Sequence, residues 1–267
     1  MMSFTEHTHR NGVVYLTAET IPVHHAFSTR IGGVSTGALA SLNLGSNRGD
    51  EPENVFRNYD LLGEAAGIPV RHMAFTKQVH GSEVRVVGEA DVHVFGTTVP
   101  YEADGLVTDV PGLALICFTA DCVPVLLCDK VHGVIAVVHC GWRSSVADIL
   151  GNAVEKMRTL GAVPECICAA VGPAISKCCF EVGSEVIDAV EAWLHGDTAG
   201  LYVPEDGVPG KYFLDLKSAN ARRLRQLSLR GENIAVSDEC TMCSHDKYWS
   251  HRYTHGHRGS QGALIVL

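Results

Sequence analysis

Short apolar runs separated by turn residues dominate the middle of the chain. "GLVTD" (105–109), "LALICFTA" (113–120), "VPVLLCD" (123–129) and "GVIAVVH" (133–139) are β-rich and strand-sized, so they predict a succession of buried strands. The pattern changes after His139. In "CGWRSSVADILGNAVEKMRTLG" (140–161) the apolar residues Val146, Ile149, Leu150, Ala153, Val154 and Met157 recur at helical spacing. Ser145 with Asp148 has capping-box spacing, and Gly161 is a natural stop. A buried strand therefore ends at His139, turns at Gly141 and opens a helix.

Upstream, "VVYLTA" (13–18) and "HAFSTR" (25–30) predict strands before the Gly-rich loop "RIGGVSTGALASLNLGS" (30–46). A helix is expected over 52–66, with Asp50 and Glu53 as a capping box and Pro52 in its first turn. Strands follow at 73–79 and 83–87, with "HGS" turning between them. Downstream come a strand at 166–171, helices near 183–195 and 215–230, a strand at 232–237 and the terminal strand "ALIVL" (263–267). This mixture predicts an α/β or α+β fold with a mixed sheet. No internal repeat or linker divides the chain, so a single domain over residues 1–267 is expected.

Composition narrows the class. The chain has 267 residues, 46% of them hydrophobic and 19% charged, which suits a folded globular protein. A net charge of −9 gives no reason to expect nucleic acid as partner. The apolar runs fall far short of the roughly 20 residues that span a bilayer, so no membrane partner is expected. The N-terminal stretch lacks the basic start and apolar core of a secretory signal, and the ten cysteines then read as reduced thiols in a cytoplasm.

Three residues sit where buried strands meet turns: His80 in "KQVHGS", Cys122 in "TADCVP" and His139 in "VVHCGWR". Two imidazoles and a thiolate form a competent zinc set with an open fourth position. They are remote in sequence and form no compact metal motif, so the residue types alone favour satisfied core histidines and an inert cysteine over a shared ion. The strand–turn–helix after His139, with Arg143 in the turn, is a candidate anion site; Arg143 could equally pair with a surface carboxylate. Arg30 and Asn43 make the Gly-rich loop a second polar candidate. "CTMC" (240–243) reads as loop packing because no second C-x-x-C follows. Cys178 and Cys179, being adjacent, read as buried structure, as do Cys166 and Cys168, and Cys140 points away from the His139 face. Most of the His-rich tail (His245, His251, His255, His257) is expected to be solvated.

"FSTRIGGVSTG", "KQVHGSEV", "ADGLVTDVPGLAL", "TADCVPVLLCD", "VVHCGWRS", "VGPAISKCCFEVG" and "CTMC" together resemble the laccase-domain family, over roughly residues 13 to 267. That family is described as multicopper polyphenol oxidase and as zinc-dependent purine nucleoside phosphorylase. The resemblance implies layered mixed sheets flanked by helices, similar to a bacterial toxin deamidase. It implies that His80, Cys122 and His139 are metal ligands for zinc, or for copper under the older description. It further implies phosphorolysis of adenosine, inosine and methylthioadenosine, with adenosine deamination beside it; a monomer or homodimer is expected.

Catalytic roles are expected for Asp121, Cys122 and Arg143, and substrate contacts for Arg30, Asn43, Arg143 and Arg252. Asp121 is either a proton shuttle beside Cys122 or the cap of its turn. Arg252 stands in "SHRY" where the family pattern reads "SYRR". A metal-free cysteine hydrolase using Cys122 and His139, a copper oxidase and a metal-stabilised binding protein are the competing readings.

Overall fold

The computed structural model describes residues 3–267. Along the chain lie β1 (Phe4–Thr8), β2 (Val14–Ala18), β3 (His25–Ser28), α1 (Pro52–Ala66), β4 (Met73–Ala74), β5 (Val84–Val86), β6 (Gly105–Thr108) and β7 (Ala114–Thr119). Next come β8 (Val123–Asp129), β9 (Val134–Cys140), α2 (Trp142–Val146), α3 (Ile149–Thr159), β10 (Cys168–Val171), β11 (Glu181–Gly183) and α4 (Ser184–Trp193). The last part holds β12 (Tyr202–Pro204), β13 (Lys211–Leu214), α5 (Leu216–Gln226), β14 (Ile234–Val236), α6 (His251–Thr254) and β15 (Gln261–Ile265).

The strands form two six-stranded mixed sheets, ordered β1-β2-β3-β15-β7-β4 and β14-β10-β8-β9-β6-β5, and a small sheet β11-β13-β12. Side-chain alternation explains the layering. In β8, Leu126 and Cys128 join a core with Leu115 and Cys117 of the other sheet, while Val123, Val125 and Leu127 pack with residues of α3, α4 and α5. In β7, Ala114 and Ile116 face the opposite way, toward Val55, Tyr59 and Leu62 of α1. The result is a single compact α+β domain of four layers, helix, sheet, sheet, helix.

Two chain crossings between the sheets matter most. β7 belongs to one sheet and β8 to the other, so residues 120–122 bridge them. β4 and β5 likewise belong to different sheets, and residues 75–83 cross at that edge. The strands expected at 73–79 and 83–87 are shorter than that, Met73–Ala74 and Val84–Val86, and do not pair with each other: β4 pairs with β7 and β5 with β6, both parallel.

Two local readings are also corrected. Asp50 does not cap α1; its carboxylate accepts from Ser35 Oγ at 2.6 Å and Asn43 Nδ2 at 2.8 Å, so it ties the Gly-rich loop instead. The single helix after Gly141 is broken into α2 and α3 at Asp148, whose φ is +61°. The Asp148 carboxylate takes Arg223 in a bidentate pair at 2.7 and 2.7 Å and Trp193 Nε1 at 3.0 Å. A tertiary ion pair has outcompeted a local cap.

Candidate metal centre and its cavity

His80, Cys122 and His139 converge. One ligand atom from each lies within 4.8 Å of the others, and Cys122 Sγ is 3.8 Å from His80 Nε2. Tetrahedral zinc with ordinary bond lengths separates such a nitrogen and sulfur by about 3.6 Å, so the three side chains fit a shared ion with little movement. His80 lies on one crossing between the sheets, Cys122 on the other, and His139 near the end of β9, a rigid central strand.

Asp104, just before β6, organises the group. Its Oδ1 accepts from His139 Nδ1 at 2.8 Å and from the His80 backbone N–H at 3.0 Å. Its Oδ2 accepts from the N–H groups of Val79 (3.0 Å) and Gly81 (2.8 Å). Four donors thus hold a fully buried carboxylate and bend the chain so that His80 adopts φ +60°. The Nδ1–H tautomer of His139 leaves Nε2 as the free ligand atom, the arrangement of a carboxylate–histidine–metal relay. Gly141 completes the fit by having no side chain. A Cβ there would stand 3.0 Å from His80 Cδ2 and 3.4 Å from Cys122 Sγ.

The electrostatics follow from this packing. Burial pushes the Cys122 thiol up, but the adjacent His139 and His80 imidazoles overcome it and pull the thiol down to about 6. Burial disfavours charge on His139, yet Cys122 and Asp104 outweigh it and raise the imidazole to about 9. By contrast the Cys117 and Cys140 thiols, buried with no cationic partner, are pushed upward.

The three residues open onto a cavity of about 570 Å³. Phe56, Phe75, Phe95 and His93 supply aromatic surface, and Arg48 and Arg258 supply positive charge. Burial, together with repulsion from Arg48, draws the Arg258 guanidinium down to about 10. Its Nε is buried without a hydrogen-bond partner.

The other sequence candidates lie elsewhere. Arg143 is exposed and stacks 4.2 Å over Trp142, outside the cavity lining. Arg30 donates to the carbonyls of Ala40 and His245 and stacks on Trp249 at 3.9 Å. Asn43 is buried and supports the cavity wall, its Oδ1 accepting from Gly45 N and Ser260 N. Arg252 donates its backbone N–H to Asp121 Oδ2 at 2.6 Å and its guanidinium to Glu181 O. Asp121, at φ +81°, accepts the Thr241 hydroxyl on its other oxygen, Oδ1, at 2.7 Å. Both Asp121 oxygens are therefore occupied in holding the C-terminal segment. Cys178 and Cys243 are exposed rather than buried, and they meet Cys179 and Cys240 in a second cluster.

Asp104, Arg48, Arg258 and the aromatic wall are not singled out by their sequence context, and Gly141 is legible there only as the turn after His139. Asp104 carried one usable signal, a carboxylate directly before an apolar strand. Arg48 and Arg258 carried none, because only folding brings their remote segments to one cavity.

Residues 24–267 match the family described as multi-copper polyphenol oxidoreductase laccase. Purine nucleoside phosphorylase YlmD of Geobacillus stearothermophilus is 35% identical over 89% of this chain and 88% of its own. The crystal structure of YlmD from that organism superposes with a TM-score of 0.91 at 32% identity, covering 100% of this chain and 99% of the other. A purine nucleoside phosphorylase of Deinococcus radiodurans is 38% identical over 96% of this chain and 94% of its own. Adenosine deaminase RL5, from an unknown prokaryotic organism, is 33% identical over 88% and 90%.

Proposed function

The chain belongs to the laccase-domain family, and from that premise we propose that it is a zinc-dependent purine nucleoside phosphorylase. Its substrates are adenosine, inosine and methylthioadenosine with phosphate. The observation that carries the reading is one cavity presenting His80, Cys122 and His139 together with Arg48, Arg258 and an aromatic wall.

Phosphorolysis sets three demands. A phosphate oxygen attacks C1′ of the ribose, the C1′–N9 bond breaks, and its electron pair leaves with the purine. Phosphate must therefore be held against its own solvation, which Arg48 and the unpartnered Nε of Arg258 are suited to do. The purine must be oriented, and Phe56, Phe75, Phe95 and His93 offer faces for stacking. The cavity is of ordinary ligand-binding size. Bound by His80, Cys122 and His139, zinc would supply Lewis acidity and an open coordination position. Asp104 fixes the His139 tautomer and the His80 turn, so it is a positioning residue. Adenosine deamination at the same site, in which water in place of phosphate adds at C6 of the base and the C6–N6 bond breaks to release ammonia and inosine, is the accompanying activity, supported by the name of one relative.

A second reading has its own support. The low thiol of Cys122 beside His139 and Asp104 resembles a nucleophile–base–orienter arrangement, which suits a metal-free cysteine hydrolase. Chelators should leave such an enzyme untouched, whereas they should silence the zinc enzyme. A multicopper oxidase finds less support. Among the described residues only one ligand group contains histidine, and it has two.

Incubating the protein with adenosine, with and without phosphate, and separating the products by chromatography tests the proposal. Adenine and ribose 1-phosphate formed only with phosphate are the expected result. Intact adenosine after prolonged incubation, with no inosine formed, overturns it.

A further inference from the structure

We propose that Cys178, Cys179, Cys240 and Cys243 form a second metal site, a tetrathiolate that takes zinc and serves structure rather than catalysis. Their four ligand atoms lie within 4.8 Å of one another, from segments more than 60 residues apart. Cys243 Sγ is 3.6 Å from Cys178 Sγ and 3.4 Å from Cys179 Sγ. Four sulfurs around tetrahedral zinc stand about 3.8 Å apart, so the cluster needs only slight expansion to close on an ion.

The local backbone explains how adjacent cysteines can both serve. In an extended strand Cys178 and Cys179 would point to opposite sides. Here the N–H groups of Cys179 and Phe180 both donate to Ser176 O at 2.9 Å. The chain is wound into a turn, and the two side chains diverge by roughly a helical step of 100° instead. Across from it, "CTMC" forms the compact loop of a zinc knuckle. The Cys240 sulfur accepts the Ser176 backbone N–H at 3.4 Å, and the backbone N–H groups of Met242 and Cys243 in its own loop favour its charged form. Such donors stabilise a thiolate ligand. The buried Lys217 ammonium, held by the carbonyls of Ser237 (2.7 Å) and Glu239 (2.8 Å), adds positive charge beside Cys240 and Cys178. A four-thiolate zinc site carries excess negative charge, which this cation offsets. Four protein ligands with no open position are the mark of a structural site.

The consequence reaches the first centre. Ile175, just ahead of the cysteine turn, donates its N–H to Asp121 O at 3.0 Å, and Thr241 within the knuckle donates its hydroxyl to Asp121 Oδ1 at 2.7 Å. An ion at the cysteines would clamp both segments that grip Asp121, and Asp121 precedes Cys122.

The test uses cobalt(II), then zinc(II), as sole added metal with the full reduced chain under anaerobic conditions. A His80→Ala/His139→Ala variant removes two ligands of the first centre. It should still bind one equivalent, and its cobalt form should show the thiolate charge-transfer and intense visible bands of an all-sulfur tetrahedral site. Cys240→Ser/Cys243→Ser should lose that spectrum and one equivalent. It should also unfold at lower temperature, and added zinc should stabilise it less. If that variant does not fold, the histidine variant decides alone. A histidine variant that binds no cobalt with this spectrum overturns the proposal. So does free alkylation of these four thiols in zinc-saturated protein.

Discussion

Asp104 Oδ1 stands 2.8 Å from His139 Nδ1 and 3.0 Å from the backbone nitrogen of His80, so one buried oxygen fixes two of the three candidate ligands. Asp104→Asn keeps the shape but replaces an acceptor oxygen with an N–H₂ that faces other donors. Zinc affinity should fall about 10–100-fold. Stability should fall by roughly 1–3 kcal/mol, from the donors left unpaired. Competition titration against a zinc indicator and thermal unfolding measure the two effects.

Gly141 has φ −67°, which any residue tolerates, so Gly141→Ala adds no backbone strain. Its new methyl group would press on His80 and Cys122. Metal affinity and turnover should drop at least several-fold while the unfolding temperature changes little. Equal loss of stability and affinity would instead point to a general packing defect.

The Cys122 thiol titrates near 6 in the metal-free protein, below the ordinary value of about 8.5. Mass spectrometry of the Cys122 peptide should show iodoacetamide alkylation rising through pH 6 and level by pH 8, with zinc suppressing it. The same shift links to stability. The depressed thiol contributes stability above its unfolded value, and this is lost as pH falls through about 6. His139, raised to about 9, has the opposite sign: its contribution holds below about 6.5 and fades as pH rises through about 9. Metal-free protein should therefore gain most from the pair between these limits.

Arg258→Met and Arg48→Met should raise the KM for phosphate about tenfold or more without changing zinc content. Arg143→Met should alter it less than twofold, as expected for a guanidinium stacked on Trp142 at the surface. Steady-state kinetics with varied phosphate separates the two assignments.

Asp121→Asn should cost about 1–3 kcal/mol, because Nδ2 cannot accept from the Arg252 N–H or the Thr241 hydroxyl it would face. Zinc content should stay normal. Turnover that survives in this variant assigns Asp121 to structure; turnover lost at full zinc occupancy assigns it to proton transfer.

The contrast between Cys122 and Arg143 shows what was legible in the chain. β7, β8 and β9 announce themselves by continuous apolar runs because they are buried on both faces, and His139 is placed by where such a run ends. The family motifs then joined it to His80 and Cys122. Arg143 was placed by the same local logic, but a side chain's direction at a helix start is set by its neighbours, and Trp142 captured it. Asp148 splitting a helix, Asp50 serving a loop and the convergence of Cys178, Cys179, Cys240 and Cys243 are all tertiary choices. Nothing within a few residues of any of them could announce the partner.

The most direct measurement is an anomalous difference map collected at the zinc edge from crystals of the zinc-loaded protein. A peak about 2.0–2.3 Å from His80 Nε2, Cys122 Sγ and His139 Nε2, in crystals whose protein converts adenosine and phosphate to adenine, is the predicted result. Active protein whose map is flat between those three side chains would contradict the account.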